Sequence, residues 1–246
     1  MINVIGLDKF KEVFEKYENN YILIGGSACA VVFDEIGESF RATRDLDIVL
    51  IVENINDEFT REFWRFIKDG EYYIEADVEK RCFYRFTKPQ MDGYPKIIEL
   101  FSRNQDIKIE GDAHIIPIHI TDEVSSLSAI LLNDDYYNFM LSGKRIINGL
   151  SVLDEKYLIP FKTKAWCELI DRRNQGEEGQ SRHIKKHFKD VSNLVSLLPK
   201  NTKVVLDGMV KQDMARFAEE ILTSEFVATD VDVQRLHNVL KEIYLS

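Results

Sequence analysis

The sequence predicts an α+β protein in which a mixed-sheet domain, residues 1–150, precedes a helical domain, residues 151–246. Helical and strand patterns alternate over the first half of the chain, which is typical of an α+β domain. Beyond residue 154 only helical patterns follow one another. The length of 246 residues accommodates one large domain or two small ones.

The predicted elements of the first half begin with a helix and end with a run of strands. They are a helix at 7–19, a strand at 21–24, a helix at 27–35, a strand at 45–53, a helix at 57–68, and strands at 81–87, 96–102 and 113–120. The segment 126–132 fits a strand or a short helix, because periodicity does not separate the two in so short a run.

The remaining elements carry clearer end signals. Asn133 is a predicted N-cap for a helix at 133–141. The dipeptide Asn148-Gly149 predicts a hairpin between two short strands. Four helices are then predicted at 154–173, 181–198, 208–223 and 230–244.

Composition excludes several classes of protein. With 45% apolar and 30% charged residues, the chain is an ordinary globular protein rather than a disordered one. Its net charge of −10 argues against a broad nucleic-acid-binding face. No apolar run is long enough for a membrane span, and the first residues do not resemble a signal peptide, so we expect a cytoplasmic protein with no membrane partner.

The first candidate for chemistry is Gly25-Gly26-Ser27, which follows the strand at 21–24. Two glycines let the backbone turn sharply and let a phosphate approach without a Cβ in the way. The serine hydroxyl and the N–H groups at the start of the next helix favour an anion. The spacing matches neither a dinucleotide fingerprint nor a P-loop, so the motif alone also fits a plain strand–helix turn.

The second candidate is Asp45-Leu46-Asp47, at the head of the strand 45–53. Successive strand side chains point to opposite faces, so the two carboxylates share one face about 7 Å apart. Two carboxylates held this close repel each other, and a cation between them relieves that repulsion. Mg²⁺ prefers carboxylate oxygens as ligands, and substrate phosphates complete its octahedral coordination. A solvated strand start is the alternative for this motif alone.

Glu99 is the third candidate carboxylate, inside the otherwise apolar strand 96–102. A buried carboxylate needs a cation or hydrogen bonds to be tolerated. Together with Asp45 and Asp47 it would allow two metal ions, which stabilise the attacking and leaving oxygens of an in-line displacement. The alternative is an edge-strand glutamate that faces water.

The helical half offers charged residues at regular spacing. Lys164, Glu168 and Arg172 recur at every fourth position and therefore share one helix face. Such a face can bring positive charge to a triphosphate, although a solvated face with ordinary ion pairs is the alternative. Asp190 lies at the margin of an apolar stripe, where it can orient Lys164 or act as a base.

The glycine turn, the Asp-x-Asp strand and the later strand acid together resemble the DNA polymerase β-like nucleotidyltransferase superfamily. The helical segments "YLIPFKTKAWCELIDRR" and "HIKKHFKDVSNLVSLL" narrow this resemblance to the AbiEii-like toxins of type IV abortive-infection systems. It covers roughly residues 20–200. The resemblance implies a nucleotidyltransferase-fold sheet domain followed by a helical domain that completes a cleft.

Carried over to this sequence, the resemblance implies that Asp45 and Asp47 are metal ligands. It also implies that Gly25, Gly26 and Ser27 bind the phosphates of the nucleotide. It makes Lys164 the site lysine, Arg172 its nucleotide-binding companion and Asp190 the late catalytic acid. Glu99 stands where many relatives have an aspartate, which lengthens one ligand arm. Lys162 competes with Lys164 for the lysine role.

The sequence thus favours a Mg²⁺-dependent nucleotidyltransferase that moves a nucleoside monophosphate from an NTP to an acceptor. The acceptor is left open among an RNA end, a protein and a small molecule, and a cognate antitoxin is an expected partner if the protein acts as a toxin. One alternative is a non-catalytic nucleotide-sensing or partner-binding module on the same fold. A second is a phosphodiesterase or nuclease built on the same carboxylates.

Overall fold

The computed structural model describes residues 4–76, 83–103, 115–117, 130–131, 133–177 and 179–246. The chain divides into two compact units that interleave in sequence. The first comprises Met1–Leu131 and Lys144–Asp154, and the second comprises Leu132–Gly143 and Glu155–Ser246. The predicted boundary at residue 150 falls at the start of a strand that belongs to the first unit.

The first unit holds the sheet and its helices. In chain order its elements are α1 (Leu7–Phe14), β1 (Tyr21–Leu23), α2 (Gly25–Glu35), β2 (Asp45–Leu50), α3 (Asp57–Asp69), β3 (Tyr73–Ala76), β4 (Phe83–Thr87), β5 (Ile97–Phe101), β6 (Ile115–Pro117), β7 (Lys144–Ile147) and β8 (Leu150–Leu153). Two short 3₁₀ turns lie at Glu15–Tyr17 and Val52–Asn54.

The described strands form one mixed sheet in the order β6-β3-β4-β5-β2-β1-β8-β7. Strand β2 lies between β5, to which it is parallel, and β1, to which it is antiparallel. Strand β4 pairs antiparallel with the other edge of β5. The strand at 73–76 was not predicted from the sequence, and the predictions at 113–120 and 126–132 lie mostly outside the described residues.

An aromatic core covers one face of the sheet. It is built by α1 and α3, whose buried aromatic residues recur at helical spacing: Phe10, Phe14, Phe59, Phe63 and Phe66. Phe63 of α3 meets Phe86 of β4 with ring centroids 5.6 Å apart. Neighbours of Phe86 in β4 therefore point to the opposite face of the sheet.

Local end signals explain several boundaries. The side chain of Asn56 accepts a hydrogen bond from the Phe59 amide and caps α3. The predicted cap Asn133 accepts bonds from the Asp135 and Tyr136 amides at the start of the helix Asp134–Ser142. Asn148 and Gly149 both have positive φ, 49° and 78°, as a tight two-residue hairpin between β7 and β8 requires.

The regular elements in the described part of the second unit are all helices. Its elements are α4 (Asp134–Ser142), α5 (Glu155–Asn174), α6 (Ser181–Leu197), α7 (Gly208–Glu220) and α8 (Val233–Tyr244). Trp166 of α5 packs edge-on against Phe217 of α7 with centroids 5.1 Å apart. The predicted α+β class, with a mixed sheet followed by a helical C-terminal region, is confirmed. Among the described helices, none combines the length and apolar character that crossing a membrane demands.

Candidate functional site

Three carboxylates and one arginine share the sheet face opposite the aromatic core. Asp47 of β2 is the register partner of Glu99 in β5, and Glu99 is the register partner of Arg85 in β4. Register partners point to the same face, so these three side chains form one row across three strands. Asp45 lies two residues before Asp47 and begins the adjacent row.

Glu99 is the most strongly perturbed acid of this row. Its side chain is only 10% exposed, and the Arg85 Nε lies 3.2 Å from its Oε1. Burial raises the pKa of Glu99 to about 9, and the nearby charge of Asp47 adds to the effect while Arg85 opposes it. Asp47 is also in hydrogen-bond contact with Glu99. The raised pKa favours the protonated form of the Glu99 carboxyl at neutral pH, and in that form its O–H can donate a hydrogen bond to Asp47.

This pKa shift predicts how stability depends on pH. A carboxyl whose pKa is higher in the folded state stabilises the fold below its unfolded pKa, and that stability is lost as pH rises towards the folded value. In metal-free buffer, Glu99→Gln should therefore match the wild type near pH 5 and exceed it by about 2 kcal/mol near pH 8. Urea unfolding at both pH values measures the difference.

The control for Glu99→Gln is Glu12→Gln, which changes a mostly exposed glutamate on α1. This variant should follow the wild type at both pH values. A Glu99→Gln difference that stays constant between pH 5 and pH 8 would contradict the raised pKa.

Gly25 lies directly against Asp47. The amide of Ile24 donates to the Asp47 carbonyl at 3.0 Å, so the end of β1 is held beside the head of β2. Gly25 itself has a φ of +63°, and a Cβ built there would lie 1.9 Å from the Asp47 Oδ2. Glycine is strongly favoured at this position, because any other residue would need a left-handed backbone and would displace the Asp47 carboxylate.

A Gly25→Ala substitution should lower the free energy of unfolding by about 3 kcal/mol, from overpacking and backbone strain together. In an Asp47→Ala background the contact with the carboxylate disappears, and the loss should fall to about 1 kcal/mol. Urea unfolding of the two single variants and the double variant measures the coupling. Equal losses in both backgrounds would show that Gly25 and Asp47 are not in steric contact.

The next two residues of the turn differ in what they can offer. A Cβ built at Gly26 would lie 2.8 Å from the Thr43 Oγ1, so Gly26 too is tightly enclosed. Ser27 is fully buried, and its hydroxyl donates to the carbonyl of Ile24 at 3.1 Å. In this conformation the Ser27 hydroxyl closes the turn rather than pointing towards a ligand.

The carboxylate row has the donor chemistry that Mg²⁺ prefers. Among the described residues, no group of three or more His, Cys, Asp or Glu side chains is arranged to hold a metal ion. Mg²⁺ in phosphate-transferring sites commonly uses one or two carboxylates and takes its other ligands from substrate phosphates and water. Asp47 and Glu99 meet that smaller requirement, because a cation bound between them would relieve the electrostatic repulsion that contributes to the raised pKa of Glu99.

In the second unit, Lys164 belongs to a network of buried polar groups. Its Nζ lies 3.1 Å from the Asp213 Oδ2 and 3.6 Å from the Glu168 Oε1. The Tyr136 hydroxyl donates to the same Asp213 oxygen at 3.0 Å, and burial followed by the Asp213 charge raises the pKa of this tyrosine. Burial likewise raises the pKa of Glu168, although Lys164 and Arg172 oppose it.

Asp190 pairs with the other lysine of α5. The Lys162 Nζ lies 3.1 Å from the Asp190 Oδ2, and the two side chains are only 8% and 1% exposed. In this conformation Asp190 contacts Lys162 and not Lys164, because α5 turns Lys162 towards α6 and Lys164 towards α7. Arg172 lies on the Lys164 side of α5, where its charge acts on Glu168.

Two contributors to the sheet site were missed from the sequence: Arg85, which pairs with Glu99, and Thr43, which encloses Gly26. A signal for Arg85 was present, because it is the only charged residue in the run "FYRFT" and so marks the polar face of β4.

Comparisons with known proteins add little to this geometry. No protein-family model and no curated protein matches the chain. One solved structure, described as the crystal structure of JHP933 from Helicobacter pylori, is similar at 12% sequence identity and a TM-score of 0.34, covering 96% of this chain and 87% of that one. At this level of similarity the match carries no conclusion about fold or function.

Proposed function

We propose that the protein is a metal-dependent nucleotidyltransferase, which moves a nucleoside monophosphate from an NTP to an acceptor and releases pyrophosphate. One observation carries the proposal: a tight Gly-Gly turn lies in contact with Asp47, at the end of a carboxylate row on one sheet face. The backbone amides of the turn, which can bind a phosphate, thereby lie beside carboxylate oxygens, which can bind a metal ion.

In this proposal, residues of the first unit bind the metal ion and the triphosphate. Asp47 and Glu99, with Asp45 beside them, would hold Mg²⁺, and the amides at Gly25 and Gly26 would receive the triphosphate. When bound, Mg²⁺ neutralises phosphate charge and positions the nucleotide for in-line attack. Arg85 would keep Glu99 in place while that carboxyl exchanges its proton for the cation.

Further roles in this proposal come from the resemblance to AbiEii-like nucleotidyltransferases. It supports Lys164 and Arg172 as phosphate-binding cations and Asp190 as the late acid. Given the pairing of Asp190 with Lys162, we include Lys162 with them. A toxin-like activity with a cognate antitoxin, in the cytoplasm where NTPs and Mg²⁺ are present, belongs to the same proposal.

The test is a transfer assay with each of the four NTPs, Mg²⁺ and cell extract. Label in the α-phosphate should enter an acceptor, label in the γ-phosphate should leave with pyrophosphate, and EDTA should abolish both. The labelled product then identifies the acceptor. Nucleotide binding without transfer would favour the sensing module instead, and release of nucleotides from nucleic acid without incorporation would favour a phosphodiesterase.

A further inference from the structure

A basic pocket adjoins the carboxylate row on the β4–β5 hairpin. Its volume is about 420 Å³, and its lining residues are Arg85, Thr87, Lys88, Pro89, Lys96 and Ile97. Three of these six residues are cations, and none is an acid. The volume falls within the range of small-molecule sites, and the charge calls for an anionic ligand.

The pocket and the glycine turn lie on opposite sides of β2. In the sheet order, β5 and β4 follow β2 on one edge, whereas β1 and the start of α2 lie on the other. Thr87 and Ile97 of the pocket are register partners, and Ile97 is in turn the partner of Asp45. Two rows of register partners therefore run from the carboxylates into the pocket. One passes from Asp47 through Glu99 to Arg85, and the other passes from Asp45 through Ile97 to Thr87.

Arg85 connects the two regions. Its Nε is buried beside Glu99 and makes an ion pair with it, but it donates no aligned hydrogen bond to any described residue. Its side chain remains 23% exposed and also lines the pocket. A guanidinium group has several donors in a fixed plane and can bind a phosphate while it stays beside a carboxylate.

Lys88 is held in an unusual backbone conformation beside the pocket. Its φ of +52° places it in the left-handed region, which a residue with a side chain rarely adopts. Its ammonium lies 5.7 Å from the centre of the Tyr73 ring of β3. Strained backbone of this kind concentrates at ligand-binding positions, where it holds a side chain in a working orientation.

We propose that this pocket binds the phosphate group of a nucleotide and that the nucleotide is the acceptor of the transfer reaction. A hydroxyl oxygen of that nucleotide would form the new bond to the α-phosphorus of the NTP, the bond from the α-phosphorus to the oxygen bridging to the β-phosphate would break, pyrophosphate would leave, and the hydroxyl proton would pass to solvent. The assignment as acceptor rests on the proposed function, because the donor triphosphate is expected at the glycine turn on the other side of β2. Binding of the phosphate rests only on the pocket. The nucleotide is either a free monophosphate or the phosphorylated end of an RNA.

Isothermal titration in EDTA tests the binding without turnover. The probes are the four nucleoside 5′-monophosphates, the matching nucleosides, and an RNA hexamer with and without a 5′-phosphate. The phosphorylated probes should bind at least tenfold more tightly than their unphosphorylated forms. Tight binding of the 5′-phosphorylated hexamer would assign the pocket to an RNA end. Tight binding of the monophosphates together with weak binding of the hexamer would assign it to free nucleotides.

Two variants locate the binding in the pocket. Lys88→Gly and Lys96→Ala should each weaken phosphate binding at least tenfold. The matched control is Glu71→Gly, which relieves a φ of +50° in the same unit outside the pocket and should leave binding unchanged. Both glycine variants should keep the unfolding midpoint at or above that of the wild type, because glycine removes the backbone strain.

The proposal is overturned if nucleosides bind as tightly as their monophosphates, or if Lys88→Gly and Lys96→Ala bind like the wild type. Those results would not refute the proposed transferase function, which depends on Asp47 and Glu99 and not on the pocket. Conversely, phosphate binding in the pocket without transfer from any NTP would retain the site and reject the transferase.

Discussion

An Asp47→Asn variant should lose nucleotide transfer by about a thousandfold or more while remaining fully folded. Removing one carboxylate ligand of a catalytic cation removes several kcal/mol of transition-state stabilisation. The fold should not suffer, because the amide oxygen of the substituted asparagine can still accept a hydrogen bond from Glu99, and the substitution removes a charge that raises the pKa of that acid. We expect the unfolding free energy of the variant in EDTA to equal or exceed that of the wild type.

The comparison for this variant is Asp69→Asn, which removes a half-exposed carboxylate of the same unit from an ion pair with Arg65. Its transfer rate and stability should match those of the wild type. An Asp47→Asn protein that transfers nucleotide at the wild-type rate would refute the proposed mechanism. One that loses both activity and fold would instead make Asp47 a structural residue.

An Asp190→Asn variant should lower the free energy of unfolding by about 3–5 kcal/mol, because it removes the carboxylate that neutralises the buried Lys162. The matched control is Asp171→Asn in the same helical unit, whose partner Arg216 lies 2.8 Å away. That pair is 44% and 35% exposed, so its loss should amount to 1 kcal/mol or less. Urea unfolding of both variants measures the difference.

A double variant distinguishes structure from catalysis at this pair. Lys162→Met with Asp190→Leu replaces two buried charges by apolar side chains and should recover most of the stability. If the double variant recovers both stability and transfer activity, Lys162 and Asp190 have a structural role. If it recovers stability but not activity, the two residues belong to the functional site. A loss of stability no larger for Asp190→Asn than for Asp171→Asn would contradict the buried pair.

The sheet half of the candidate site was largely predictable because it depends on short-range patterns. An apolar strand that ends in two glycines and a second strand headed by two acids each define a face and a direction. The pairing of β1 with β2 then brings them together, as the Ile24 amide and the Asp47 carbonyl show. The orientation of Ser27 was not predictable, since a hydroxyl can donate outward or back into its own turn.

What the sequence could not supply is the register between distant strands. Glu99 was identified as an acid in an apolar strand, but its neighbour Arg85 depends on how β4 pairs with β5. A shift of one residue would put Arg85 on the aromatic face.

The same limit explains the two lysines of α5. Lys162 and Lys164 lie on nearly opposite sides of a helix, and periodicity alone does not say which side meets α6. Only the packing of that helix between its neighbours assigns Asp190 to the first and Asp213 to the second.

The hairpin that carries the basic pocket has a consequence for how such a protein can change. Arg85, Lys88 and Lys96 come from one continuous stretch of fewer than twenty residues, whereas Gly25 at the start of α2 and Asp47 in β2 lie far upstream in the sequence. Exchanging the connection between β4 and β5 would alter the charge and shape of the pocket and leave the carboxylates in place. If the proposed function holds, selectivity for the acceptor can therefore diversify by replacement of a single loop, while the carboxylates are inherited unchanged.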